Sequence, residues 1–136
     1  MSFSIDGKTV IVTGAANGIG AALARHFAEN GANVMCADID EKALKKDLGE
    51  SADDSNVRYF AGDLREKLTL ANLLSATVDA FDRVDVLVNA SRQVATTDPL
   101  DMDDETVEKL LQQNLMTSLR LSQMVAKRMI KQDEEQ

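Results

Sequence analysis

The residues of this chain that could do chemistry stand at the ends of short apolar runs. Gly14, Gly18 and Gly20 follow the run Thr9–Thr13 and open a helical pattern that begins near Ile19. A strand that turns through glycines into a helix makes an anion site. The first helical turn has N–H groups without partners, and the helix dipole favours negative charge there. Gly14 suits a tight turn with positive φ. Gly18 offers bare backbone that a pyrophosphate can approach, and Gly20 lets helix and strand pack closely. These three jobs parallel those in the dinucleotide fingerprint, although the spacing here is G-x-x-x-G-x-G and not G-x-G-x-x-G. Asp38, eighteen residues after Gly20, closes the next apolar run. A carboxylate there can accept hydrogen bonds from an adenosine ribose; it suits a free 2′-hydroxyl and repels a 2′-phosphate.

Strands and helices must alternate to position these groups. Thr9–Thr13 is β-branched and bounded by glycines, the pattern of a strand buried on both faces. Residues 18–30 form a helix with Ile19, Leu23, Ala24 and Phe27 on one face, stopped by Gly31. A second strand covers 33–37. A charged helix, Glu41–Leu48, turns Ala43, Leu44 and Leu48 inward and is followed by Gly49 and a polar loop at 51–55. Val57–Ala61 is the third strand. A helix over 66–81 faces the core with Leu70, Leu73, Leu74, Thr77, Val78 and Phe81. The fourth strand covers 84–89, and a loop over 91–100 contains the one proline, Pro99. One long helix over about 103–131 carries Val107, Leu110, Leu111, Leu115, Leu121, Val125 and Met129 at helical spacing. Parallel neighbours need crossovers, so this alternation predicts an α/β fold. Right-handed crossovers give a doubly wound parallel sheet of Rossmann type, strand order 3-2-1-4, lacking the later strands. The order reverses between the first and fourth strands, and ligands bind there, at the carboxyl ends of the strands. Gly14 and Asn89 stand at those ends.

With 136 residues, 44% hydrophobic and 28% charged, the chain has room for one domain with a sizeable core. The net charge of −8 disfavours duplex nucleic acid and anionic membranes as partners. Cys36 is the only cysteine and His26 the only histidine, which excludes an internal disulfide and a Cys/His zinc site within one chain. A cytoplasmic location fits. No apolar run approaches a membrane span, and residues 1–8 lack the regions of a signal peptide. Gly7-Lys8-Thr9 precedes its strand and is no P-loop, and Asp101-Met102-Asp103-Asp104 lacks calcium-loop spacing. His26, among polar neighbours, is expected to face solvent.

Thr13-Gly14-x-x-x-Gly18-Ile19-Gly20 resembles the cofactor motif of the short-chain dehydrogenase/reductase family, and the likeness covers essentially the whole chain but only the first half of a family member. The resemblance implies hydride transfer between NAD(H) and a small-molecule alcohol or carbonyl substrate. Binders of NADP in the family often carry a basic residue just before the second glycine or just after the acid. Asn17 and Ile39 stand there, so NAD is expected over NADP. In Ala61-Gly62-Asp63-Leu64, the family pattern gives Asp63 to the adenine amino group and the backbone of Leu64 to the ring; a helix N-cap is the other reading of Asp63. The fourth strand ends Asn89-Ala90-Ser91-Arg92 where the family has Asn-Asn-Ala-Gly. Asn89 matches and is expected to bond backbone across the sheet, with Ala90 beside the cofactor ribose. Arg92 replaces a glycine, crowding the nicotinamide side or swinging out to solvent. Asn114 matches an Asn of the family's catalytic tetrad that holds a water; a buried Asn bonded to a backbone carbonyl is the alternative.

The family's catalytic Ser and Tyr-x-x-x-Lys lie beyond the matched region. The only tyrosine, Tyr59, has Asp63 four residues on and is expected to be structural. Residues 1–136 therefore read as a dinucleotide-binding domain ending before that region, inactive alone. Two other readings stand beside it: a complete, non-catalytic dinucleotide-binding or sensing module, and a remnant acting through its exposed sheet edge. Such an edge and the last helix both suit a homo-oligomer.

Overall fold

A computed structural model describes residues 4–48 and 56–135. The loop expected at 51–55, the Gly49 helix stop and the Leu48 side chain lie outside the described part. In chain order the elements are β1 (Thr9–Thr13), α1 (Gly18–Glu29), β2 (Asn33–Asp38), α2 (Glu41–Leu48), β3 (Val57–Ala61), α3 (Lys67–Phe81), β4 (Val86–Asn89), α4 (Asp104–Leu111) and α5 (Thr117–Glu134). All strand pairs are parallel, in the order β3-β2-β1-β4. Thr13 is in register with Ala37 on one side and Asn89 on the other, and Asp38 with Ala61. The carboxyl ends of all four strands therefore open on one edge of the sheet.

β1 is buried along its whole length, as an internal strand covered on both faces must be. Its alternate side chains enter two cores. Val10 and Val12 pack with Ala24 of α1 and Leu44 of α2; Ile11 packs with Leu70 and Leu73 of α3 and Leu121 and Val125 of α5. Each such aliphatic side chain contributes about 1.5–3 kcal/mol on burial.

Three expectations change. Ile19, placed inward from its spacing, is 70% exposed, whereas its neighbour Gly20 and Ala24 are the buried residues of α1. β4 begins at Val86; residues 84 and 85 are tied by other means. Val84 exchanges two hydrogen bonds with the side-chain amide of Gln132, at 2.8 and 2.9 Å. The last helix is not continuous. A π-helical turn, Gln112–Met116, separates α4 from α5. A π turn takes in extra residues, so the apolar faces on either side fall out of phase. Leu121 and Val125 are buried, while Leu111 and Leu115 are about half exposed.

Candidate functional site

The turn between β1 and α1 is shaped by its glycines. Gly14 has φ +66°, and a Cβ there would meet Ala90 O at 2.8 Å and Ser91 Cα at 2.7 Å. Only glycine satisfies both demands, so β1 and the end of β4 close against each other at this point. A Cβ on Gly20 would collide with the carbonyl of Gly14, so the close packing of helix on strand expected from sequence is present. Gly18 faces open space. Asn17 caps α1 in an extended conformation without a side-chain hydrogen bond, and no acid occupies the first turn. Among the described residues no side chain caps the N–H groups of that turn.

Asp38 ends β2 beside this turn. One carboxylate oxygen accepts from Ala16 N–H at 3.1 Å, the other from Asp40 N–H at 3.0 Å. Each oxygen keeps a lone pair for a further donor. Asp40 caps α2 by accepting from Ala43 N–H at 3.0 Å, which leaves Asp38 free of that duty.

A groove of ≈ 870 Å³ runs along the carboxyl edge of the sheet. Gly14, Asn17, Gly18, Ile19, Gly20, Asp38, Ile39, Asp63, Leu64, Asn89 and Ala90 all line it. The eleven residues expected to meet a dinucleotide are therefore gathered at one place. Ile19 and Ile39 rise from it as exposed apolar side chains. His26 is exposed on α1, outside the groove, and Tyr59 packs against the core formed by α1 and α2.

Three details differ from the sequence reading. Asp63 does not cap α3, whose N-cap is Glu66. Its carboxylate instead receives Arg65 N–H, Nε and Nη2, the last at 2.8 Å, and these bonds hold its pKa below the ordinary carboxylate value. Among the described residues the side chain of Asn89 shows no bond to backbone across the sheet; its amide donates to Ser122 Oγ on α5 at 3.1 Å. Thr13 makes the cross-sheet tie. Its hydroxyl accepts from Ala90 and Ser91 N–H at 3.1 and 3.2 Å. A hydroxyl at the last position of a fully buried strand needs partners, and that was the available signal. Asn114 is exposed, not buried on an apolar face, and lies outside the groove. It lies within the π turn, and its amide clips the backbone of Gln93 in the loop after β4, accepting at 2.7 Å and donating at 2.8 Å. Beside it, Gln113 donates to Ser91 Oγ at 3.0 Å. Arg65, Ser91, Arg92, Gln93 and Gln113 are groove residues beyond the eleven.

Among the described residues no cluster of three or more His, Cys, Asp or Glu side chains could hold a metal, and no helix is long and apolar enough to cross a membrane.

A doubly wound parallel sheet with a glycine turn and a carboxylate at its ligand edge defines a class of nucleotide-binding folds. The short chain dehydrogenase family model matches residues 8–135, and the chain belongs to that family. It is 35% identical over 133 residues to a D-threitol dehydrogenase of Mycolicibacterium smegmatis, covering 94% of this chain and 50% of the relative. It is 30% identical over 128 residues to an NAD-dependent glycerol dehydrogenase of Listeria innocua, again 94% of this chain and 50% of the relative. The crystal structure of a short chain dehydrogenase from Mycobacterium smegmatis superposes with a TM-score of 0.84 at 30% identity, over 92% of this chain and 52% of that one. The chain thus spans about half the length of these relatives, which are oxidoreductases of varied substrates.

Proposed function

We propose that this chain is the cofactor-binding part of an oxidoreductase that transfers hydride between NAD(H) and an alcohol or carbonyl substrate. The observation that carries the reading is the hydrogen bond from Ala16 N–H to Asp38, which joins the glycine turn and the acid in one groove. The open amides of α1 suit a pyrophosphate, and the remaining acceptor capacity of Asp38 suits ribose hydroxyls. Bound there, NAD supplies the hydride acceptor and NADH the donor. Asn17 and Ile39, both uncharged, leave a 2′-phosphate without a cation beside Asp38, so NAD is favoured over NADP. The NAD-dependent glycerol dehydrogenase among the relatives supports the same choice.

Asp63 and Leu64 bind at the adenine end in this reading, and Asn89 and Ala90 beside the nicotinamide ribose. Asn114 acts by holding the groove wall at Gln93, with any tetrad role exercised from that position. None of these 136 residues forms a Tyr-x-x-x-Lys pair, so we expect no turnover from them alone. Exposed Leu111, Leu115 and Leu119 support self-association through α4 and α5, and a single cysteine, the buried Cys36, suits a reducing compartment such as the cytoplasm.

Calorimetric titration of the chain with NAD and NADP tests the proposal. NAD should bind the more tightly. Absence of binding, or a preference for NADP, would overturn it, as would turnover of NADH with a panel of carbonyl compounds overturn the expectation of inactivity.

A further inference from the structure

Four formally charged residues line the groove: Asp38, Asp63, Arg65 and Arg92. Three are engaged. Asp38 takes two backbone N–H groups, and Asp63 and Arg65 neutralise one another at 2.8 Å. Arg92 forms no ion pair among the described residues. It is exposed, and the backbone that carries it is held on both sides. Ser91 N–H donates to Thr13 Oγ1 at 3.2 Å, Ser91 Oγ accepts from Gln113 at 3.0 Å, and Gln93 is clipped at both its N–H and C=O by Asn114. The side chain thus starts from a fixed point. That point is next to the glycine turn: Ser91 Cα lies 2.7 Å from where a Cβ on Gly14 would be.

We propose that Arg92 is a pyrophosphate-binding residue of the groove, acting with the open amides of α1. This rests on the dinucleotide reading above and adds to it a full positive charge where the helix terminus offers only a partial one. The chain carries a net charge of −8, which opposes the approach of any anionic nucleotide. A guanidinium not neutralised by a protein carboxylate offsets that locally and can meet a phosphate with two N–H groups.

Calorimetric titration of the full chain and of Arg92→Ala and Arg92→Lys with ADP and with adenosine tests the role. Arg92→Ala should weaken ADP about ten-fold, one charge-assisted contact discounted for solvent, and should weaken adenosine less than about two-fold. Arg92→Lys should recover part of the ADP affinity, and the dependence of ADP binding on salt should flatten in Arg92→Ala. Circular dichroism spectra matching the wild type exclude a folding effect, since Arg92 is exposed. Unchanged or tighter ADP binding by Arg92→Ala, or an equal loss for adenosine, overturns the role of Arg92 and leaves the dinucleotide reading intact. A wild-type chain that binds neither NAD nor ADP overturns both.

Discussion

Ala16 donates its N–H to the carboxylate of Asp38 at 3.1 Å, so the turn leaving β1 and the residue ending β2 are one hydrogen-bonded unit. The acid therefore has two duties, shaping the turn and facing the groove. Asp38→Ala should narrow the preference for NAD over NADP and lower NAD affinity, as calorimetry with both nucleotides would record. Asp38→Asn keeps an oxygen acceptor for Ala16 but loses the charge. It should retain more stability than Asp38→Ala while narrowing the preference similarly, which separates the two duties.

Gly14 and Gly18 both have positive φ, but only Gly14 is crowded by backbone atoms. Gly14→Ala should cost more than about 2 kcal/mol of stability from strain plus collision with Ala90 and Ser91, and Gly18→Ala about 1 kcal/mol from strain alone. Urea denaturation midpoints of the two variants would rank them.

Thr13→Val replaces a hydroxyl by a methyl of similar size. Ala90 and Ser91 N–H would lose their acceptor at the point where β1 meets the groove wall. A loss of about 1–3 kcal/mol is expected, with Thr13→Ser close to wild type, by the same denaturation measurement.

Stability should fall in acid through Asp85. Burial raises its pKa, but hydrogen bonds from Arg83 and Thr9 N–H, with the charges of Arg83 and Lys8, outweigh burial and hold it below the unfolded value of 3.8. The contribution of a depressed carboxyl is present above the unfolded value and disappears as pH falls through the folded one. Asp63, depressed by Arg65, acts in the same window below pH 3.8. Denaturation midpoints measured below about pH 4 should drop less steeply in Asp85→Asn than in wild type.

Asn114→Ala should free the loop after β4. Faster amide hydrogen exchange at Gln93, with global stability changed by less than about 1 kcal/mol, is the expected outcome for an exposed clip.

The sheet order was legible because parallel strands and right-handed crossovers leave few topologies, and the glycine turn because each glycine answers a steric demand. The details that escaped depend on contacts between segments distant in sequence. Nothing near Asn114 announces the π turn that contains it or its bonds to the backbone of Gln93. The pairing of Asn89 with Ser122 requires α5 to lie against β4. Arg65 sits two residues from Asp63, and a charged pair at that spacing closes only in a turn. The inward assignment of Ile19 failed because helical periodicity shows which residues share a face but not which of them a neighbouring element covers.

In the proposed complex, phosphate oxygens meet the first-turn amides of α1 while Asp38 holds the sugar. Titration of isotopically labelled chain with NAD, followed by amide NMR shifts, reads this residue by residue. The largest changes should fall at Gly18, Ile19 and Gly20, with further changes at Asp38 and Ile39 and little on the far end of α5. Shifts centred away from the groove, or none at saturating NAD, would contradict it.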